Sequence, residues 1–151
     1  MTFSRRRFST LGFAVTFGLV ALLGALPVSA AAPPIPVGPI VDVANPNPDD
    51  VLIPGAYVFQ GIAYDKDARE GTGVERVAVF LDDRDQGGLF LGDATLGEPN
   101  PMAAPTSQFG TAGWVITTPA LPLGNHTLFF YANSSVDKQE AVVEVPITVG
   151  D

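Results

Sequence analysis

The sequence predicts an all-β fold, a two-layer antiparallel β-sandwich of about seven short strands. Two observations carry that expectation. After residue 39, apolar residues alternate with period two between clusters of Gly, Pro, Asn and Asp, the pattern of short half-buried strands joined by turns. The chain holds 16 Gly and 14 Pro, and past residue 39 no 3.6-residue apolar stripe runs for ten residues, so no long helix is expected there. Seven strand segments separated by turn signals are enough to build two packed sheets around one core.

The elements follow in chain order. Residues 1–30 read as a signal peptide, with a basic start at Arg5, Arg6 and Arg7 and an apolar stretch from Leu11 to Leu26. Sixteen residues of helix reach about 24 Å, short of the roughly 30 Å hydrocarbon core of a membrane. Pro27 then breaks the helix, and Val28-Ser29-Ala30 places small residues before a cut between Ala30 and Ala31. Ser4-Arg5-Arg6-Arg7-Phe8 resembles the twin-arginine export motif, although Ser9 and Thr10 depart from its usual apolar residue and Lys. That resemblance implies export of an already folded protein to the periplasm, cell surface or exterior.

Residues 31–39 form a Pro-rich linker, and residues 40–151 the domain. The expected strands are 40–44, 57–64, 74–82, 89–95, 113–118, 126–133 and 141–149. Alternation assigns Val77, Val79 and Leu81 of the third strand to the core, with Leu128, Phe130 and Ala132 of the sixth and Val143, Val145, Ile147 and Val149 of the seventh. Pro146 marks an edge strand or a bulge, because it has no N–H to give a ladder.

Three local patterns resemble the bacterial immunoglobulin-like domains of exported and surface proteins. They are Gly55-Ala-Tyr57-Val-Phe-Gln-Gly61-Ile-Ala63-Tyr-Asp65, Gly73-Val74-Glu-Arg-Val77-Ala-Val79-Phe-Leu81-Asp82 and Leu121-Pro122-Leu123-Gly124-Asn125-His126-Thr127-Leu128. The likeness covers roughly residues 40 to 149, and it implies an immunoglobulin-like sandwich without implying an activity. The stretch from Arg84 to Ala112 is longer and richer in Gly and Pro than such a sandwich requires.

Composition excludes several functions. The chain has no cysteine, so disulfides, zinc–thiolate sites, thiol catalysis and lipid attachment to Cys are out. All sixteen acidic residues follow residue 40, and three of the eight basic residues lie in the leader. The exported part therefore sets five basic side chains against sixteen acidic ones, a net −11. Such a domain repels nucleic acid and anionic lipid, so neither nucleic acid nor membrane is an expected partner once the leader is removed.

No residue pattern supports an enzyme, and no cofactor is expected. His126 is the single histidine, and no motif brings Ser107 or Ser134 to it as a nucleophile. In the immunoglobulin comparison His126 takes the place of the corner tyrosine and Leu128 that of the core Cys two residues on. Asp65, Asp67, Glu70 and Asp137 fall in neighbouring loops, where a Ca²⁺ cage would need six to eight oxygens. Solvated turn charges, beside Lys66, Arg69 and Lys138, are the favoured reading, and no metal site is assigned. Asp82 and Asp83 are adjacent acids without the cleft that glycoside hydrolysis requires. Asn125-His-Thr and Asn133-Ser-Ser match the glycosylation pattern by chance, behind a leader of bacterial type.

Phe80, Phe129 and Tyr131 fall on the outward face of two strands expected to be neighbours. They are the candidate binding residues, as a sticky or sugar-stacking platform. The competing expectation is that residues 84–112, through Leu89, Leu91 and Phe109, fold over that face as a second small core. Trp114 is expected as a core or rim anchor. The chain thus reads as an exported non-catalytic module acting in binding, adhesion or as a structural surface domain, its partner an unknown protein or glycan at the cell surface. A carbohydrate-binding module and an accessory or inhibitor of another exported protein are the alternatives. Mass spectrometry of the secreted protein is expected to find Ala31 as its first residue. Replacing Arg5-Arg6 by Lys-Lys is expected to abolish its release, and an unaltered yield would contradict the twin-arginine assignment.

Overall fold

The computed structural model describes residues 38–150. The leader, the cut at Ala30–Ala31 and most of the linker lie outside the described residues. Among the described residues nine strands form: β1 (Ile40–Asn45), β2 (Asp50–Leu52), β3 (Val58–Tyr64), β4 (Val74–Leu81), β5 (Leu89–Asp93), β6 (Thr95–Glu98), β7 (Gly113–Thr117), β8 (Gly124–Ser134) and β9 (Glu140–Val149). A 3-10 turn, Arg84–Gln86, lies between β4 and β5. Two sheets result, one in the order β1-β3-β7-β6 and the other β2-β9-β8-β4-β5.

The all-β sandwich is as expected, with two strands more. β2 is three residues long and pairs with the end of β9 in parallel, Asp50 opposite Ile147, so the sandwich is not purely antiparallel. The segment expected as one strand over 89–95 is instead divided. β5 extends the second sheet beside β4, the chain crosses at Ala94, and β6 joins the first sheet beside β7. Pro146 lies where β9 leaves its free edge and β2 begins to pair. Its carbonyl, on the side away from β8, accepts from the Asp49 N–H at 2.7 Å. The missing Pro N–H is on that same side and deprives β8 of no bond.

The core lies between the sheets and follows the alternation. Val77, Val79 and Leu81 of β4, Leu128, Phe130 and Ala132 of β8, and Val145, Ile147 and Val149 of β9 are buried. Phe59, Trp114 and Ile116 meet them from the first sheet. Trp114 is 1% exposed and is therefore a core anchor. Its ring centroid lies 5.2 Å from that of Phe130, and Phe59 meets Phe130 edge-on at 6.4 Å.

Gly61 makes room for this cluster. It is directly opposite Trp114 across β3 and β7. A Cβ added there would lie 2.5 Å from Trp114 Cζ2 and clash with the Asp42 carbonyl. Gly61→Ala is expected to destabilise the domain by about 1–3 kcal/mol through overpacking, read as a lower urea midpoint at unchanged slope. An unaltered midpoint would show that Trp114 is free to move away.

Candidate binding face

The face opposite the core on the second sheet is built by register. β4 and β8 pair with Phe80 opposite Phe129 and Ala78 opposite Tyr131. Because Val79 and Phe130 point inward, these neighbours must point outward. β9 adds Glu144 opposite Phe129, Val142 opposite Tyr131 and Glu140 opposite Asn133. On the other flank Phe90 is opposite Phe80, and the β4–β5 register skips Leu91. That bulge lets Leu91 turn into the core while Phe90 stays out, 46% exposed.

The aromatic rings form one connected cluster. Phe80 lies 5.0 Å from Phe90 and 5.7 Å from Tyr131, the latter edge-on, and Phe129 lies 6.0 Å from Tyr131 with nearly parallel planes. Phe80 and Phe129 are half-buried, whereas Tyr131 is buried. The 3-10 turn supplies its cover. Asp83 caps that turn by accepting from the Asp85 N–H at 2.9 Å, and Gly87 closes it at a φ of 90° that glycine adopts freely. Arg84 is thereby placed with its guanidinium carbon 3.8 Å above the Tyr131 ring.

Arg84 is fixed from its other side as well. Its Nη1 and Nη2 donate to the two Glu140 oxygens at 2.9 and 2.5 Å, and Asn133 Nδ2 donates to the same carboxylate at 2.9 Å. The Arg84 bonds hold the Glu140 carboxyl below its ordinary range against the opposing effect of burial, with help from Asn133. Glu140 in turn raises Arg84, and burial raises the Tyr131 hydroxyl. On the far flank Arg76 Nε meets Asp93 Oδ1 at 2.6 Å, with its guanidinium 5.8 Å from the Phe90 ring centre.

The segment 84–112 does not fold over this face as a second core. Leu89 is exposed, Leu91 belongs to the main core, and Phe109 packs on Tyr64 of the first sheet at 4.8 Å. The 3-10 turn alone reaches Tyr131, through one arginine. β5 widens the face, because the bulge turns its apolar residues opposite ways.

The remaining candidate groups make hydrogen bonds within the sandwich. His126 Nδ1 lies 2.9 Å from Asp82 Oδ2, and the Thr127 N–H donates to Asp82 Oδ1 at 3.1 Å. Asp82 adopts a φ of 64°, a left-handed turn that these bonds hold in place. His126 therefore ties strand to strand and does not bond backbone just upstream, as a corner tyrosine would. That role falls to Tyr57, whose hydroxyl donates to the Ile53 carbonyl four residues back, two residues before the buried Phe59. The Pro54-Gly55 turn between them allows the chain to double back.

Ser134 lies eight residues along β8 from His126, about 26 Å away. Its Oγ donates to Asp65 Oδ2 at 2.5 Å, so the hydroxyl is a tie between the sheets and no nucleophile for that imidazole. Asp65 is fully buried, and its other oxygen accepts from the Asp67 N–H at 2.9 Å. Asp137 accepts from the Gln139 N–H. Among the described residues, no three His, Asp or Glu side chains gather to hold a metal ion, and the suggested calcium cage is not assembled. Asp82 holds the imidazole and Asp83 caps the 3-10 turn, so both acids already have partners within the sandwich.

No family model matches this chain, and no curated protein matches it. Among solved structures it is similar to the fibronectin(III)-like modules of Clostridium thermocellum CbhA, with a TM-score of 0.50 at 20% identity. That match covers 75% of this chain and 47% of the other, so the chain spans about half the length of the structure it matches. CopC from Methylosinus trichosporium OB3b matches with a TM-score of 0.43 at 15% identity, over 73% of this chain and 93% of that one. At its level of identity the first likeness shows the fold, a fibronectin- or immunoglobulin-like β-sandwich module.

Two carboxyls give this site a pH signature. Burial pushes Asp82 up, but the bonds from His126 and the Thr127 N–H and the charge of the imidazole together bring it below the ordinary value. Glu140 is lowered too. A carboxyl lowered in the fold contributes stability that is full above its unfolded pKa of about 4. That contribution is lost as pH falls through the lowered folded value. The melting temperature is expected to hold from pH 7 to about 5 and to drop below about 4. Asp82→Asn and Glu140→Gln should each lower the plateau and flatten the drop; a drop of undiminished steepness in both variants would assign acid sensitivity elsewhere.

Proposed function

We propose that this chain is an exported, non-catalytic β-sandwich module that acts by binding, and that the outer face of its five-stranded sheet is the contact surface. The observation that carries the reading is the aromatic cluster of Phe80, Phe90, Phe129 and Tyr131, flanked by two ordered Arg–carboxylate pairs. Phe90 and Val142 are each close to half exposed, and a contiguous apolar patch on a sheet face is how contact surfaces differ from ordinary exteriors. Aromatic and arginine side chains are also those that carry most binding energy at interfaces.

Export rests on the leader and its twin-arginine motif. The non-catalytic reading is supported by the use of His126, Ser134, Asp65, Asp82 and Asp83 as ties and caps within the sandwich. The fibronectin(III)-like modules to which the chain is similar provide a precedent for the architecture. An accessory or inhibitory role toward another exported protein would use the same face.

The test is retention of the labelled, leader-free protein on the surface of the cells that produce it. Wild type is expected to be retained and the double variant Phe90→Ser, Phe129→Ser to be washed away while its circular dichroism spectrum is preserved. Equal retention of the two would remove this face from the function.

A further inference from the structure

Resting on the reading of that face as the contact surface, we infer that its ligand is an uncharged polysaccharide, stacked by its sugar rings on Phe90, Phe80 and Phe129 and hydrogen-bonded by the Arg84–Glu140–Asn133 network. The three rings lie on adjacent strands, β5, β4 and β8, with Phe90 opposite Phe80 and Phe80 opposite Phe129. At about 4.8 Å between strands they line a track roughly 10 Å long. A pyranose ring has an apolar C–H face and a rim of hydroxyls, so it needs an aromatic surface below and planar polar groups beside it. This face offers both.

The polar groups are arranged for hydroxyls and are already neutralised. Arg84 and Glu140 form a bidentate pair joined by Asn133, and Arg76 pairs with Asp93. Each guanidinium on the face has its carboxylate, so the face extends no unpaired arginine toward an anionic chain. The remaining N–H and carboxylate lone pairs point along planar groups fixed in advance, which reduces the ordering cost of binding. A protein partner would have to match a surface that belongs to a domain of net −11, whereas an uncharged glycan is indifferent to that charge.

The shape favours a polymer. Three cavities lie elsewhere: a trough of about 400 Å³ on the other sheet beside Ile62, Val115 and Pro99, and two clefts flanking the His126–Asp82 pair. The aromatic face is open and would leave a single sugar mostly in water, whereas a chain gains from several rings at once. Tyr131, beneath Arg84, is then a support that levels and fixes the guanidinium, and Phe90 takes its place as a contact ring.

Affinity electrophoresis of the leader-free protein in native gels containing hydroxyethylcellulose, mixed-linkage β-glucan, arabinoxylan or polygalacturonate tests this directly. Retardation is expected with at least one of the three neutral polymers and none with polygalacturonate. Phe90→Ala and Phe90→Leu are each expected to weaken it about tenfold, with Phe90→Leu keeping apolar volume should the smaller side chain disturb β5. Arg84→Lys, which retains charge but loses the fork, should weaken it severalfold, and Tyr64→Ala on the other sheet should leave it unchanged. Retardation that survives both Phe90 variants, or that appears with polygalacturonate alone, overturns the inference. If no neutral polymer retards the protein but protease-sensitive material on intact cells binds wild type and not Phe90→Leu, the glycan is wrong and the binding face stands. If neither polymer nor cell surface distinguishes wild type from Phe90→Leu, both fall.

Discussion

Everything in this domain depends on holding two sheets together without a covalent link. The chain contains no cysteine, so the work that a disulfide performs in many small exported domains falls to packing. The packing is concentrated in one place, where Trp114 and Phe59 of the first sheet meet Phe130 of the second. Trp114 reaches Phe130 because Gly61, opposite it, has no side chain in the way. Buried aromatics contribute more apolar area than any other residue and add edge and stacking contacts, so a cluster of three is an economical substitute for a bridge.

That cluster also determines the outer surface. Side chains on a strand alternate, so once Phe130 is fixed inward, Phe129 and Tyr131 are fixed outward. Pairing with β4 then brings Phe80 against them, and the bulge at Leu91 adds Phe90. The ends of the same strands are pinned by polar ties, Asp82 with His126 at one end of β8 and Asp65 with Ser134 at the other. Register is therefore held at both ends and in the middle, and a one-residue slip would cost all three. The aromatic face is a consequence of the core. Its guanidinium cover is the one part contributed by a turn.

The strands carrying strong alternation, β4, β8 and β9, were legible in the sequence, and their inward and outward sets are those observed. The outward position of Phe80 and Phe129 follows from the same periodicity. What was not legible has physical causes. β2 is too short to show a period, and it is a strand only because β9 offers an edge to it. β5 and β6 read as one strand in the sequence because the crossing between sheets takes a single residue, Ala94, and leaves no turn signal. The outward position of Phe90 is not legible because a bulge is a break in alternation, visible only once the partner strand is known. The long-range pairs Arg84–Glu140 and Asp82–His126 join residues 56 and 44 positions apart, a distance over which sequence alone gives no contact. The corner does have a local signal: Ile53-Pro54-Gly55-Ala56-Tyr57 combines a doubling-back turn with a tyrosine four residues on, a stronger corner signal than the histidine.

The division of β8 into a structural side and a presenting side is the central claim, and urea unfolding of two adjacent variants tests it most directly. Phe130→Ala should lose about 3–5 kcal/mol, as expected for a large aromatic removed from a packed core. Phe129→Ala, half-buried on the outer face, should lose less than about 1.5 kcal/mol. Equal losses would show that the outer aromatics are a second core and that the face is not available for a ligand.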